Sequence, residues 1–175
     1  GFTHWAKLNN LKQAAKTINF LTEHGISSYG ELESKLTAIS ARRDTAHAEI
    51  KRIESRSAEL ALVMKHAGTY RQLKPLYDRY RKSNDKEKFL RGHESEIILF
   101  EAAARELKRL GAVPLPTTES MKTELANLNA EKERLLAEYK TARTEAQEYD
   151  TVKQNVDALL TVPKEQEQQR RHELE

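Results

Sequence analysis

The residues of this 175-residue chain best suited to a chemical task lie between positions 65 and 92, where cations and aromatic rings alternate. That stretch holds nine Lys or Arg (Lys65, Arg71, Lys74, Arg79, Arg81, Lys82, Lys86, Lys88 and Arg91) against Asp78, Asp85 and Glu87. The other residues hold 21 Lys or Arg against 24 Asp or Glu, so the formal net charge of +3 originates in this one stretch. Tyr70, Tyr77, Tyr80 and Phe89 are interleaved with the cations. Cations neutralise phosphates and rings stack on unpaired bases, so a nucleic-acid backbone with splayed bases calls for both. Arg71, Lys74, Arg79, Tyr80, Arg81, Lys82, Lys86, Lys88 and Arg91 therefore form the candidate nucleic-acid-binding set. The plainer alternative buries Tyr77 and Tyr80 and leaves the cations as a solvated face.

Other chemistries find little support. The six histidines, His4, His24, His47, His66, His93 and His172, never occur as H-x-H, H-x-x-x-H or H-E-x-x-H, the spacings that bring two imidazoles to one metal from a single element. No metal and no cofactor is expected. His93-Glu94 with Glu96 reads as capping at a helix start rather than catalysis. None of the six tyrosines has metal ligands near it in sequence to polarise a phosphate for attack, so none is a credible nucleophile. Acid pairs such as Glu131 with Glu133, or Asp150 with Asp157, fall on helix surfaces without facing each other. There is no glycine-rich phosphate loop and no G-x-S-x-G elbow, and no catalytic residue is expected.

The elements that must position the basic stretch are helices. Ala, Leu, Glu, Lys, Arg and Gln dominate, and only six Gly and four Pro punctuate the chain. From residue 2 to 24 the positions Phe2, Trp5, Leu8, Leu11, Ala15, Ile18 and Leu21 mark one helix face, with Thr3 as a cap and Gly25 as the stop. Ser28 and Glu31 form an S-x-x-E capping box, which opens a second helix near Tyr29. In it Leu32, Leu36, Ile39, Arg43, Ala46, Ile50, Ile53, Ser57, Leu60, Met64 and Ala67 step by four and three in strict alternation. A matching row follows the Pro114–Pro116 break and a cap at Thr117 or Thr118: Met121, Leu125, Leu128, Lys132, Leu135, Tyr139, Ala142, Ala146, Tyr149, Lys153, Val156 and Leu160. A repeat of 3.5 residues specifies a coiled-coil seam.

If the segment between them folds back, the two rows zip antiparallel, with Leu32 near Leu160 and Ala67 near Met121. Pro75 should kink or divide the helix carrying residues 70–82. Asn84 with Glu87 should cap a further helix that Gly111 closes. The expected fold is all-α: a long antiparallel coiled-coil hairpin with an N-terminal helix and a helical cap at the tip. Its parts are an N-terminal helix (1–26), a first arm (27–68), a basic tip (69–112), a second arm (113–162) and a polar tail (163–175), frayed or leading onward.

At 33% charged residues and a mean hydropathy of −0.79, little apolar material remains for a thick core. Cysteine is absent, which excludes disulfides and thiolate metal sites and makes the cytoplasm the default expectation. No apolar run approaches the roughly 18 to 20 residues of a membrane span, so no membrane partner is expected. A start at Gly1 that falls directly into a helical pattern reads as a fragment of something longer.

Trp5-Ala6-Lys7-Leu8-Asn9-Asn10-Leu11-Lys12-Gln13-Ala14-Ala15-Lys16-Thr17, then Asn19-Phe20-Leu21-Thr22-Glu23, resembles the region downstream of the nuclease domain in relaxases, the mobilisation nucleases of Gram-positive conjugative elements. Tyr29-Gly30-Glu31-Leu32, the Y-D-R-Y-R-K run at Tyr77 to Lys82, Phe89 with His93-Glu94-Ser95-Glu96-Ile97, Leu115-Pro116-Thr117 and Val156-Asp157 are similar in kind and order to that family's helical C-terminal portion. The resemblance spans about Trp5 to Leu160. It implies a parent that nicks DNA at a transfer origin through an N-terminal domain with a histidine triad, a divalent metal and a tyrosine. No H-x-H motif matches here, so no catalytic residue is carried over. The implied role is a non-catalytic relaxosome module in plasmid or transposon mobilisation, which contacts DNA near the origin or docks the coupling protein, another relaxosome protein or a second copy of the chain. The reading of a different class is a protein-interaction or dimerisation scaffold without DNA contact, using exposed seam positions or the helix bearing Phe2 and Trp5.

Overall fold

The structure, a computed structural model, describes residues 2–174, and the side chains of all of these except 2, 3, 5, 6 and 162–166. The cap expected of Thr3 and the surface expected of Phe2 and Trp5 lie outside the described residues. Four helices are present among them, α1 (Phe2–Glu23), α2 (Tyr29–Lys82), α3 (Lys86–Arg109) and α4 (Thr118–Glu173), and no strand. The all-α hairpin expected from the two seams is the observed architecture. The chain divides into two compact units, Gly1–His47 with Leu136–Glu175, and Ala48–Leu135.

In the first unit α2 and α4 run antiparallel. Tyr29 donates its hydroxyl hydrogen to Asp157 at 2.7 Å, Arg42 pairs with Glu145 at 2.8 Å, and the His47 ring lies 5.6 Å from Tyr139. Ile26, Leu32, Ile39, Ala146, Tyr149 and Val152 form the core, with Phe20, Leu21, Leu36 and Val156 packed against it. This register corrects the expected one, because Leu32 packs with Val152 and Val156 while Leu160 is 56% exposed. Helix α1 packs antiparallel on α4 through a face other than the expected one. Phe20 meets Tyr149 edge-on at 5.1 Å, and Thr17, buried, donates to the Gln13 carbonyl and accepts from Asn155. Leu8, Leu11 and Ile18 are left exposed. Apolar spacing marked the row correctly as helical, but Ala14, Thr17, Phe20 and Leu21 make the contact because an aromatic ring and a satisfied hydroxyl fill it.

In the second unit α2 carries two rows. One, with Ile53, Leu60 and Ala67 buried, belongs to the seam whose α4 members Met121, Leu128 and Leu135 are also buried; Lys132 crosses to Glu54 at 3.4 Å, and Arg56 forks onto Glu124 at 2.6 and 3.1 Å. The other, spaced by seven, is Val63, Tyr70 and Tyr77, and it receives α3: both tyrosines stack on Phe100, at 4.8 and 4.2 Å. Helix α3 thus lies alongside the C-terminal part of α2.

The helix ends follow backbone chemistry. After α1 the Ile26 amide donates to the Leu21 carbonyl and Gly25 adopts φ +63; after α3 Ala112 donates to Leu107 and Gly111 adopts φ +70. Both glycines occupy the left-handed residue of a Schellman turn, as expected. Two caps shift. Glu31 accepts from the Ser27 amide rather than completing the box with Ser28, whose hydroxyl accepts from the Glu31 amide, and Asp85, not Asn84, caps α3; at the start of α4 Thr117, one of the two expected caps, accepts from the Ser120 amide. Helix α2 passes the expected arm end at residue 68, and α4 runs to Glu173, so the polar tail is helical rather than frayed.

Two measurements test this account. Gly111→Ala should cost about 1 kcal/mol because a side chain disfavours the left-handed backbone, whereas Gly68→Ala, inside α2 with open space around the new methyl, should add about 0.5–1 kcal/mol in denaturant unfolding. Glu124 accepts from Arg56, Glu54 from Lys51 and Lys132, and Glu106 from Arg109; each titrates below the ordinary glutamate range. Their folded pKa lies under the unfolded one, so the stability they confer is complete above about pH 5 and is lost as pH falls through the folded values. The melting temperature should drop from pH 5 to pH 3, and Glu124→Gln should flatten that drop.

Candidate nucleic-acid interface

Helix α4 begins level with Arg71, whose guanidinium donates to the Thr118 hydroxyl at 2.9 Å and to the Pro116 carbonyl. Beyond that point α2 and α3 continue as a two-helix hairpin, turning over Ser83–Asp85. The turn is set locally. Ser83 Oγ accepts from the Asp85 amide at 3.2 Å, and Asp85 accepts from the Lys88 amide at 3.0 Å, satisfying one of the donors that every helix start leaves open.

A run of rings holds this hairpin together. Phe100 is sandwiched between Tyr70 and Tyr77; Tyr77 lies 5.8 Å from Tyr80, Tyr80 6.0 Å from Phe89, and Phe89 4.7 Å from His93. Pro75 sits between the two tyrosines that grip Phe100, and α2 is not divided there. This excludes a division of the helix at Pro75, one of the two outcomes expected of it. Losing one backbone hydrogen bond costs about 3 kcal/mol in an isolated helix, and stacking contacts one turn to either side offset it. Helix α3 is the element with an interruption: His93 has φ −138 and ψ 25, and its Nδ1 lies 2.9 Å from Glu96 Oε2.

The nine sequence-designated residues separate by environment. Arg71 is engaged with the start of α4, and Lys74 is in an ion pair with Asp78 at 3.1 Å. Tyr80 is half-buried among the rings. Arg79, Arg81, Lys82, Lys86, Lys88 and Arg91 are exposed and, among the described residues, have no ion-pair or side-chain hydrogen-bond partner. Lys86 and Lys88 stand in the first turn of α3, where the helix dipole is already positive and the Asp85 cap and Glu87 oppose them. Arg79, Arg81 and Lys82 occupy the last turn of α2, where a cation is favoured. The hairpin end therefore gathers unpaired positive charge from two helix ends, one of them electrostatically unfavourable.

A cleft of about 490 Å³ runs beside the rings, where Tyr70, Tyr77 and Phe100 are joined by Lys74, Arg81 and Arg105 and by the acids Asp78 and Glu101. Arg105 was missed in the sequence because it lies well past the basic stretch; the signal was its position one helical turn beyond Glu101, on the flank of the row Phe100–Ala103–Leu107. Among the described residues no three His, Asp or Glu side chains converge closely enough to hold a metal, and no helix is long and apolar enough to cross a membrane.

The ring sandwich makes a stability forecast. Phe100→Ala should cost about 3–5 kcal/mol and Pro75→Ala should add about 2 kcal/mol in chemical unfolding, since the first empties the site between two tyrosines and the second restores a helix hydrogen bond. No protein family, curated protein or solved structure matches this chain in a comparison with known proteins.

Proposed function

We propose that this chain is a non-catalytic, cytoplasmic accessory module of a conjugative relaxase, and that it grips duplex DNA near a transfer origin through the end of the α2–α3 hairpin. The observation that carries the proposal is the set of six cations there with no partner among the described residues, gathered where α4 no longer flanks the other two helices. Unpaired cations gain by meeting phosphates, which release condensed counterions in exchange, and Lys86 and Lys88 gain further because they stand against a helix dipole. The relaxase resemblance supplies the biological setting.

The rings refine the mode of contact. Tyr70 and Tyr77 each lay a face on Phe100, and Tyr80 and Phe89 are half-buried beside them. Base stacking therefore contributes little, and the contact is to the backbone, which positions a protein without reading sequence.

The test is an electrophoretic shift with a 30-bp origin duplex, an unrelated duplex and a single strand of the same length over a range of salt. Equal binding to both duplexes is expected, with affinity falling steeply as salt rises. Replacing Arg79, Arg81, Lys82 and Lys86 by Ala should weaken binding at least tenfold and reduce the salt slope by about 3 to 4. An unchanged shift in that variant would reject the assignment.

A further inference from the structure

Helix α1 carries a second apolar row on the side turned away from its contact with α4. Leu8, Leu11, Ala15 and Ile18 step by three, four and three, and Leu8, Leu11 and Ile18 are 45%, 67% and 59% exposed. At 1.5 Å per residue the row covers about 15 Å of one face. Thr17, Phe20 and Leu21 are the residues that meet the rest of the first unit, so this row is surplus to the fold.

Its borders are one-signed. Lys7 flanks the row on one side and Lys12 on the other, with Lys16 beyond Lys12, and α1 has no acidic residue before Glu23. All three lysines are exposed and, among the described residues, unpaired. Elsewhere in the same unit Arg42 pairs with Glu145, Lys153 with Asp157, and Lys35 donates to the His24 carbonyl. The 3.5-residue period specifies what fits the row, because only another helix presents knobs at that spacing. The lysines specify its charge, because residues beside a coiled-coil seam select a partner of opposite sign.

From this we infer that the outer face of α1 docks an amphipathic α-helix of another protein, one that carries glutamate or aspartate on both sides of its apolar row. A second copy of this chain fits poorly, since two such faces would bring Lys7 and Lys12 against lysines with no acid to oppose them. A bilayer fits less well, because interfacial binding scales with the apolar area inserted, and this row offers only Leu8, Leu11 and Ile18 as large side chains.

The whole chain should be titrated by fluorescence anisotropy against two labelled four-heptad peptides, both with Ile and Leu on the seam, one with Glu and one with Lys at every flanking position. The Glu peptide should bind at least tenfold more tightly than the Lys peptide. Leu11→Gln with Ile18→Gln, both exposed in the fold, should remove that binding, whereas the four-alanine variant of the α2–α3 hairpin end should retain it. Lys7→Glu with Lys12→Glu should reverse the peptide preference. The inference is overturned if neither peptide binds, if both bind equally, or if Glu-peptide binding survives Leu11→Gln with Ile18→Gln. It is equally overturned if that pair instead abolishes self-association in sedimentation or binding to phosphatidylserine vesicles. Loss of DNA binding in the hairpin variant leaves this surface untouched, so the two proposals fail separately.

Discussion

Two apolar rows on α2, out of phase with each other, are the constraint on which the molecule depends. One meets α4 in both units, and the other, confined to the second unit, meets α3. Burying a leucine or isoleucine side chain contributes about 1.5–3 kcal/mol, whereas an exposed ion pair such as Arg42–Glu145 contributes about 1 kcal/mol or less. Packing therefore decides which helices pair and in which register, and the cross-helix ion pairs adjust to it. Lys132 shows the order of precedence: it occupies a seam position, half-buried, and reaches Glu54 with its ammonium while its stem fills the row.

The seam was the most legible feature of the sequence because its period is a geometric signature that tertiary context reinforces. Every member of the α2 row is buried or half-buried, and on α4 only Leu160 is not. Register was less legible. A heptad row is compatible with slips of one turn, and the choice was made by Tyr29, which takes Asp157 as its partner, and by the ring of Tyr149. The face of α1 was misread because an apolar count weighs Leu and Ile above Thr, while Thr17 is buried with its hydroxyl satisfied on both sides. Of the two outcomes expected of Pro75, a kink or a division, division fails for a related reason: a local cost divides a helix only when no tertiary contact holds the segment in place. The candidate cations were legible as a group, but which of them are engaged depended on which residues of α2 the start of α4 meets, and this no local pattern states.

Charge placement follows the helix count. Where α2 and α4 are paired, cations such as Arg42, Arg56 and Lys132 find carboxylates across the interface. Where the α2–α3 hairpin runs on alone, the basic side chains have lost the element that could have supplied acids. Unpaired charge is thus a by-product of architecture as well as of composition, and the same holds for α1, whose outer face has no neighbouring helix among the described residues.

The interruption of α3 at His93 bears on motion. Residues 86–92 precede that kink, and the Asp85 cap, the Tyr80–Phe89 and Phe89–His93 ring contacts and the turn itself anchor them. Such a segment opens with a smaller free energy than the ladder behind it, as a cooperative unit of its own. Lys86, Lys88 and Arg91 therefore ride on a piece of backbone that can open separately while Phe100 stays clamped between Tyr70 and Tyr77.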